Sequence, residues 1–279
     1  EDDIEQAILQ KLEGDPFQYG ILRCDPSPDK RELLPDGTGR SSKKECVLPL
    51  ILREALARLN PDIPGEKLEE IARDLCRDFS ATDMTATNYK YYNQIRNGIK
   101  ISLRRNGKED FDFVKLVDFD RPENNTFTAV SQMWIQGRVY WRRPDVLIFI
   151  NGLPMVFVEL KNSIVKVEEA YNDNLKNYLR DIPNLFAFNQ ICVLSNGLET
   201  RLGAFNATYN HFFEWLKVDS EKERPDRQAL KEAGTVGESS VRYFIDGLLQ
   251  KGRLIDYIEN FIMFRNQKNK IIAKNHQYF

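Results

Sequence analysis

An α/β fold is predicted by two changes of hydrophobic period along the 279-residue chain and by one long apolar stretch at its centre. Apolar residues recur at helical spacing in the first hundred residues, alternate at period two in the middle, and return to helical spacing near the end. In the centre, Val146-Leu147-Ile148-Phe149-Ile150 and Met155-Val156-Phe157-Val158 are apolar at every position. Strands of that kind are covered on both faces, so the sheet has helices on either side.

The elements follow in order. Residues 2–13 place Ile4, Ile8, Leu9 and Leu12 on one helix face, and Gly14-Asp15-Pro16 stops the helix. Residues 25–44, rich in Pro, Asp, Gly, Ser and Lys, read as an exposed loop. Two amphipathic helices are predicted over 46–60 and 64–79, separated by Asn60-Pro61 and Ile63-Pro64, and a shorter one over 86–97. Alternating segments at 99–105, 111–119 and 126–136 read as half-buried strands, with turns at Gly107 and Pro122–Asn125. The two central apolar runs flank Asn151-Gly152, a strong hairpin signal. A helix is predicted over 165–180, short strands over 186–195, 200–206 and 211–217, a polar gap over 219–238, and helices through 239–265.

Composition narrows the chemistry. The chain is 42% hydrophobic and 29% charged, enough apolar material for one large core or two smaller ones. Forty basic residues face 42 acidic ones, a net charge of −2, so any nucleic-acid contact must come from a local basic patch. Cys24, Cys46, Cys76 and Cys192 are widely spaced, which suits reduced thiols of a cytoplasmic protein better than a disulfide frame or a zinc site. The acidic, amphipathic start is unlike a signal peptide, and no apolar run approaches the roughly 18 residues of a membrane helix. Only His211 and His276 are present, which argues against Ser-His-Asp hydrolysis and multi-histidine metal sites. Neither GxxxxGK[ST] nor GxGxxG occurs. Carboxylates and lysine remain.

They converge at one place. Arg143-Pro144-Asp145 opens the first central strand and Glu159-Leu160-Lys161 closes the second. Glu159 and Lys161, two apart on a strand, share a face. Asp145 joins them after a three-residue loop at 151–153 or a bulge; a strict two-residue turn puts it on the other face. Two carboxylates, with the Leu160 carbonyl as a third ligand, suit a hard divalent cation, and an ammonium suits a negatively charged transition state. The competing reading is that these are solvated strand-end charges. Their place at the ends of doubly covered strands weighs against it.

The segment RPDVLIFINGLPMVFVELKN resembles the PD-(D/E)xK nuclease core of type I restriction enzyme motor (R) subunits. LVDFDRPENNTFTAVSQ upstream, DIPNLFAFNQICVLSNGLETRLG and FFEWLK downstream, and GLLQKGRLIDYIENFIMFRNQKNKIIAKNHQYF at the end extend the similarity, which is weakest over roughly 20–95. The resemblance implies a restriction-endonuclease-like mixed central sheet flanked by helices, with a helical insertion at about 46–97. It also implies a nuclease domain over 1–218 and a helical linker over 219–279, leading to a motor domain that starts at about residue 270 and continues beyond the chain. The implied activity is Mg²⁺-dependent cleavage of double-stranded DNA after ATP-driven translocation, with ATP held by the motor alone. Methylation and specificity subunits are the implied partners.

Residue by residue, the family's metal-binding acids map onto Asp145 and Glu159 and its lysine onto Lys161. An acidic residue on the first helix, Glu5 or else Glu1 one turn earlier, helps hold the metal; an ordinary solvated helix charge is the competing reading. The family's Gln-x-x-x-Tyr motif falls on Asn174-Leu175-Lys176-Asn177-Tyr178, where Asn replaces Gln. Residues four apart share a helix face, so Asn174 and Tyr178 are both candidates for the site. Arg138, Arg142, Arg143, Lys166, Lys176 and Arg180 cluster around it as candidate phosphate contacts, or as solubilising charge. Trp134, Tyr140 and Trp141 offer faces for bases, but core packing is the expectation for them. Two other functions fit the same residues: an inactive module of this fold that binds DNA or docks the methylase core, and a stand-alone repair or restriction nuclease.

Overall fold

The computed structural model of the protein describes residues 2–105, 108–223 and 240–279. Helix α1 (Asp2–Glu13) leads to β1 (Gly20–Arg23), and three helices follow: α2 (Pro49–Leu59), α3 (Gly65–Leu75) and α4 (Met84–Asn97). A hairpin of β2 (Ile99–Arg105) and β3 (Lys108–Val114) precedes β4 (Phe127–Ser131). The short pair β5 (Ile135–Gln136) and β6 (Trp141–Arg142) then leads to the central strands β7 (Val146–Ile150) and β8 (Leu153–Leu160). A helical arm of α5 (Val167–Glu169), a π-helical turn (Ala170–Leu175) and α6 (Lys176–Asp181) returns the chain to β9 (Ile191–Ser195), β10 (Thr200–Gly203) and β11 (Phe213–Glu214). The last described stretch holds α7 (Ser240–Leu248), α8 (Lys251–Asn260), β12 (Ile262–Arg265), β13 (Asn269–Ile272) and α9 (Asn275–Tyr278).

Seven strands form one mixed sheet in the order β1-β4-β7-β8-β9-β10-β11. The pairs β1/β4 and β8/β9 are parallel and the others antiparallel. Every residue of β7 and β8 is buried, as their unbroken hydrophobicity predicts. Alternate side chains serve two cores. Val146, Ile148 and Ile150 pack with Ile8 and Leu12 of α1, Leu52 and Leu56 of α2, and Phe244 and Leu248 of α7. Leu147 and Phe149 pack on the opposite face with Phe157, Leu175 and Tyr178. Fully burying one such aliphatic or aromatic side chain contributes roughly 1.5–3 kcal/mol, so the sheet centre is the best-supported part of the molecule. Among the described residues no helix is long and apolar enough to cross a membrane.

Three expectations need correction. First, 25–44 is not simply an exposed loop: Thr38, Arg40 and Lys43 are buried. The Asp36 carboxylate holds Arg40 at 2.6 Å and Lys43 at 2.7 Å, and Arg40 also donates to the Glu45 and Trp134 carbonyls. Charge pairing orders a segment whose composition suggests none.

Second, the helices expected through 239–265 stop at Asn260, and a β-hairpin of β12 and β13 follows. Left-handed backbone at Asn266 and Gln267 turns the chain there. Residues 224–239, which cover most of the polar gap, lie outside the described residues.

Third, Trp134, Tyr140 and Trp141 are not core residues. Trp141 lies in a hairpin outside the main sheet and Trp134 and Tyr140 sit next to its strands, where guanidinium groups cover the rings: Arg143 over Trp134, Arg31 over Trp141, and Arg142 and Arg180 beside the exposed Tyr140.

Candidate active site

The β7–β8 hairpin decides whether the acidic residues meet. Asn151 and Gly152 take φ of 51° and 81°, the left-handed pair of a two-residue hairpin turn. That turn pairs Ile150 with Leu153 and Phe149 with Pro154, and left uncorrected it would separate Asp145 from Glu159. The register then shifts: Ile148 pairs with Val156, leaving Met155 as an extra, bulged residue. Parity is restored, Val146 faces Val158, and the same register brings Asp145 beside Glu159. Of the two devices expected from the sequence, the chain uses the bulge.

Glu159 is 2% exposed, on the face that carries Phe157. The Asn174 amide, on the π-helical turn, donates to its Oε1. Tyr178, four residues on, is also buried; its ring lies edge-on to Phe157 at 5.3 Å and its hydroxyl donates to the Arg143 carbonyl at 3.1 Å. Burial, and then the negative charge of Glu159 and Asp145, holds its phenol well above the ordinary tyrosine range, so it remains a donor. Asp145 is half-buried, and its Oδ2 accepts from the Leu160 N–H at 2.7 Å. Lys161 is half-buried one residue past β8, where its peptide N–H donates to the Ser195 carbonyl at 2.8 Å.

One contributor escaped the sequence reading. Gln132 follows β4 with left-handed backbone at φ 56°, and its N–H donates to the Asp145 carbonyl at 3.0 Å. Its Nε2 donates to Glu5 Oε2 and lies 3.4 Å from Asp145 Oδ1, tying the first helix to the hairpin. Its Oε1 is buried and accepts no hydrogen bond from the described residues. The available signal was positional: Ser131 pairs with Val146, so the next residue stands against Asp145.

Glu5 is 5% exposed and reaches this cluster through Gln132, whereas Glu1 lies outside the described residues. Burial raises the Glu5 pKa; the Gln132 hydrogen bond opposes the rise and the Asp145 charge adds to it. A raised carboxylate pKa stabilises the fold below the unfolded value, and that stability is lost as pH climbs through the folded one. Glu5→Gln is therefore expected to melt like the wild type at about pH 4 and higher than it at about pH 8. Thermal denaturation across that range checks this, and a variant less stable at the alkaline end would contradict it.

The basic candidates are differently engaged. Arg142 and Arg180 both grip the buried Asp181 carboxylate, each Nε at 2.7 Å. Arg143 donates to the Pro26 carbonyl, and Lys176 to Asn172 while lying over the Tyr171 ring. Lys166 is exposed at the start of α5, and Arg138 is exposed beyond β5.

Among the described residues, no group of three or more His, Cys, Asp or Glu side chains stands at metal-holding spacing. The donor set nonetheless suits a hard cation. It is all oxygen, two of its carboxylates, Glu5 and Glu159, are almost wholly buried, and the Gln132 side chain, which contacts Glu5 and Asp145, has a buried oxygen left over.

Residues 1–211 match the family described as the type I restriction enzyme R protein N terminus. The chain belongs to that family. It is 31% identical over 287 aligned residues to the type I restriction enzyme HindI endonuclease subunit of Haemophilus influenzae, covering 100% of this chain and 26% of the relative. It is 30% identical over 296 to the putative type I restriction enzyme MjaIXP endonuclease subunit of Methanocaldococcus jannaschii, covering 99% and 26%. A Staphylococcus aureus relative, the SauCOLORF180P endonuclease subunit, is 33% identical over 119 residues, covering 42% of this chain and 13% of its own length. The chain thus spans about a quarter of the length of the first two relatives.

Proposed function

We propose that this chain is the DNA-cleaving domain of a type I restriction enzyme R subunit, hydrolysing phosphodiester bonds with Mg²⁺ held at Asp145 and Glu159. The observation that carries this reading is the bulge at Met155, which sets both carboxylates on one face at the buried ends of central strands. The Leu160 carbonyl would add a ligand, and Glu5 would join through Gln132. A divalent ion there supplies positive charge to the attacking and leaving oxygens of an in-line displacement.

The protein's own groups orient the rest. Asn174 fixes the rotamer of Glu159, and Tyr178 fixes the backbone entering Asp145. Lys161 follows on the same strand line, placed to orient water or meet charge on the phosphoryl oxygens. Lys166, Lys176 and Arg143 border the arm beside the site and would contact phosphates without reading sequence. Arg142 and Arg180, already held by Asp181, would contribute less. Family membership supports the larger setting: a cytoplasmic complex with methylation and specificity subunits, with ATP-driven motor domains in the same polypeptide.

Soaking Mn²⁺ into crystals of the chain tests the assignment directly. The expected result is an anomalous peak shared by Asp145 and Glu159. Ordered ions elsewhere, with these carboxylates bare, would remove the assignment.

A further inference from the structure

We infer that Lys270, on the C-terminal hairpin, is a positioning residue for the active site, because it clamps the segment that holds the Met155 bulge. The inference rests on the reading of Asp145 and Glu159 as the cation-holding pair.

Between strands apolar on both faces a one-residue slip exchanges one hydrophobic residue for another, so hydrophobic pattern alone does not mark where a bulge sits. That describes β7 and β8, and polar contacts are found at the bulge itself. The Met155 carbonyl accepts from the Gln190 N–H at 2.7 Å, and the Asn189 Nδ2 lies 3.4 Å from it. Asn189 and Gln190 immediately precede β9, which pairs with β8 from Val156 onward. They are gripped in turn. Lys270 Nζ donates to the Asn189 carbonyl at 2.5 Å, to Gln190 Oε1 at 2.7 Å and to Asn88 Oδ1 at 3.1 Å. The Asn88 amide donates to the same Asn189 carbonyl at 2.7 Å.

Lys270 is 3% exposed, with the Tyr92 and Phe264 rings beside its ammonium. Burial pulls its pKa well below the ordinary lysine value, which is unfavourable for a charge with no structural use. Its three oxygen partners match the three donors of an ammonium. The chain of contacts therefore runs from the hairpin after α8, through Asn189 and Gln190, to the bulge that places Asp145 opposite Glu159.

Hydrogen–deuterium exchange on the 279-residue chain reads this directly, because the Leu160 N–H donates to Asp145 in the bulged register, and an unbulged one would turn the Asp145 side chain to the other face. In Lys270→Met, Leu160 is expected to exchange at least about tenfold faster relative to the β4 amides, with Mn²⁺ binding, followed by electron paramagnetic resonance, weakened by a similar factor. Ile272→Ala, which trims the same hairpin without touching the clamp, should leave both ratios near wild type. If Lys270→Met does not fold, Gln190→Met removes one acceptor while keeping the N–H on Met155, and the same direction of change is expected. Unchanged Leu160 protection in the folded clamp variant would overturn the inference, as would equal loss in Ile272→Ala. A wild-type chain that binds no Mn²⁺ would instead defeat the metal reading, and the exchange data would still decide what Lys270 does.

Discussion

Asp145→Ala in the assembled enzyme is expected to stop DNA cleavage, by about 10³-fold or more, while ATP hydrolysis continues at the wild-type rate. The substitution removes the oxygen that accepts from Leu160 and the carboxylate beside Glu159, so a cation held there would lose one of its two central carboxylates. It deletes no core side chain: Asp145 is half-buried, and the two cores meet on the residues that follow it. Cleavage of a supercoiled plasmid carrying one recognition site, measured beside ATPase activity, separates the two outcomes. Cutting at the normal rate would take Asp145 out of the chemistry.

The second large effect concerns stability. Gly152→Ala is expected to destabilise the chain by about 3 kcal/mol or more, from overpacking and left-handed strain together. Gly152 holds φ 81°, and a Cβ there would stand 2.6 Å from the Leu48 carbonyl and 2.8 Å from the Leu52 nitrogen. Both are backbone atoms at the start of α2, and the Leu48 N–H donates to the Gly152 carbonyl at 2.9 Å, so neither side can easily retreat. For a chain of this size the shift corresponds to a melting temperature lower by roughly 6–12 °C. A thermal melt within two degrees of wild type would mean that α2 slides away freely.

The sequence carried the sheet centre because hydrophobic pattern alone determines it: two doubly apolar runs around Asn-Gly can hardly be anything but buried paired strands. It also supplied the Glu159-Leu160-Lys161 spacing, although the strand ends at Leu160 and Lys161 lies one residue beyond it. The placement of Asp145 depended on one extra residue. A bulge at Met155 has no local signature when every neighbour is apolar, so the sequence could state the need for it and not its position. Gln132 was hidden for a different reason. Its position follows from cross-strand pairing of β4 with β7, and a glutamine at a strand end is ordinary until its partner is known. The Asp36–Arg40–Lys43 cluster and Lys270 were misread or missed because composition treats charge as solvated, whereas here the first three charges pair with one another and Lys270 finds partners from distant segments. The expected helical ending failed where Ile262, Phe264, Lys270 and Ile272 alternate at period two within a short, charged stretch.

The wide turn at Ala170–Leu175 bears on how this protein should be compared with its relatives. Asn is one methylene shorter than Gln, a deficit of about 1.5 Å, comparable to the rise of one helical residue. Winding the arm with an i→i+5 pattern around Asn174 moves the backbone itself, and the shortened amide still touches Glu159. Length of side chain and breadth of coil are thus interchangeable currencies of reach. A side chain one methylene shorter can therefore make such a contact where the helix that carries it is wound more widely.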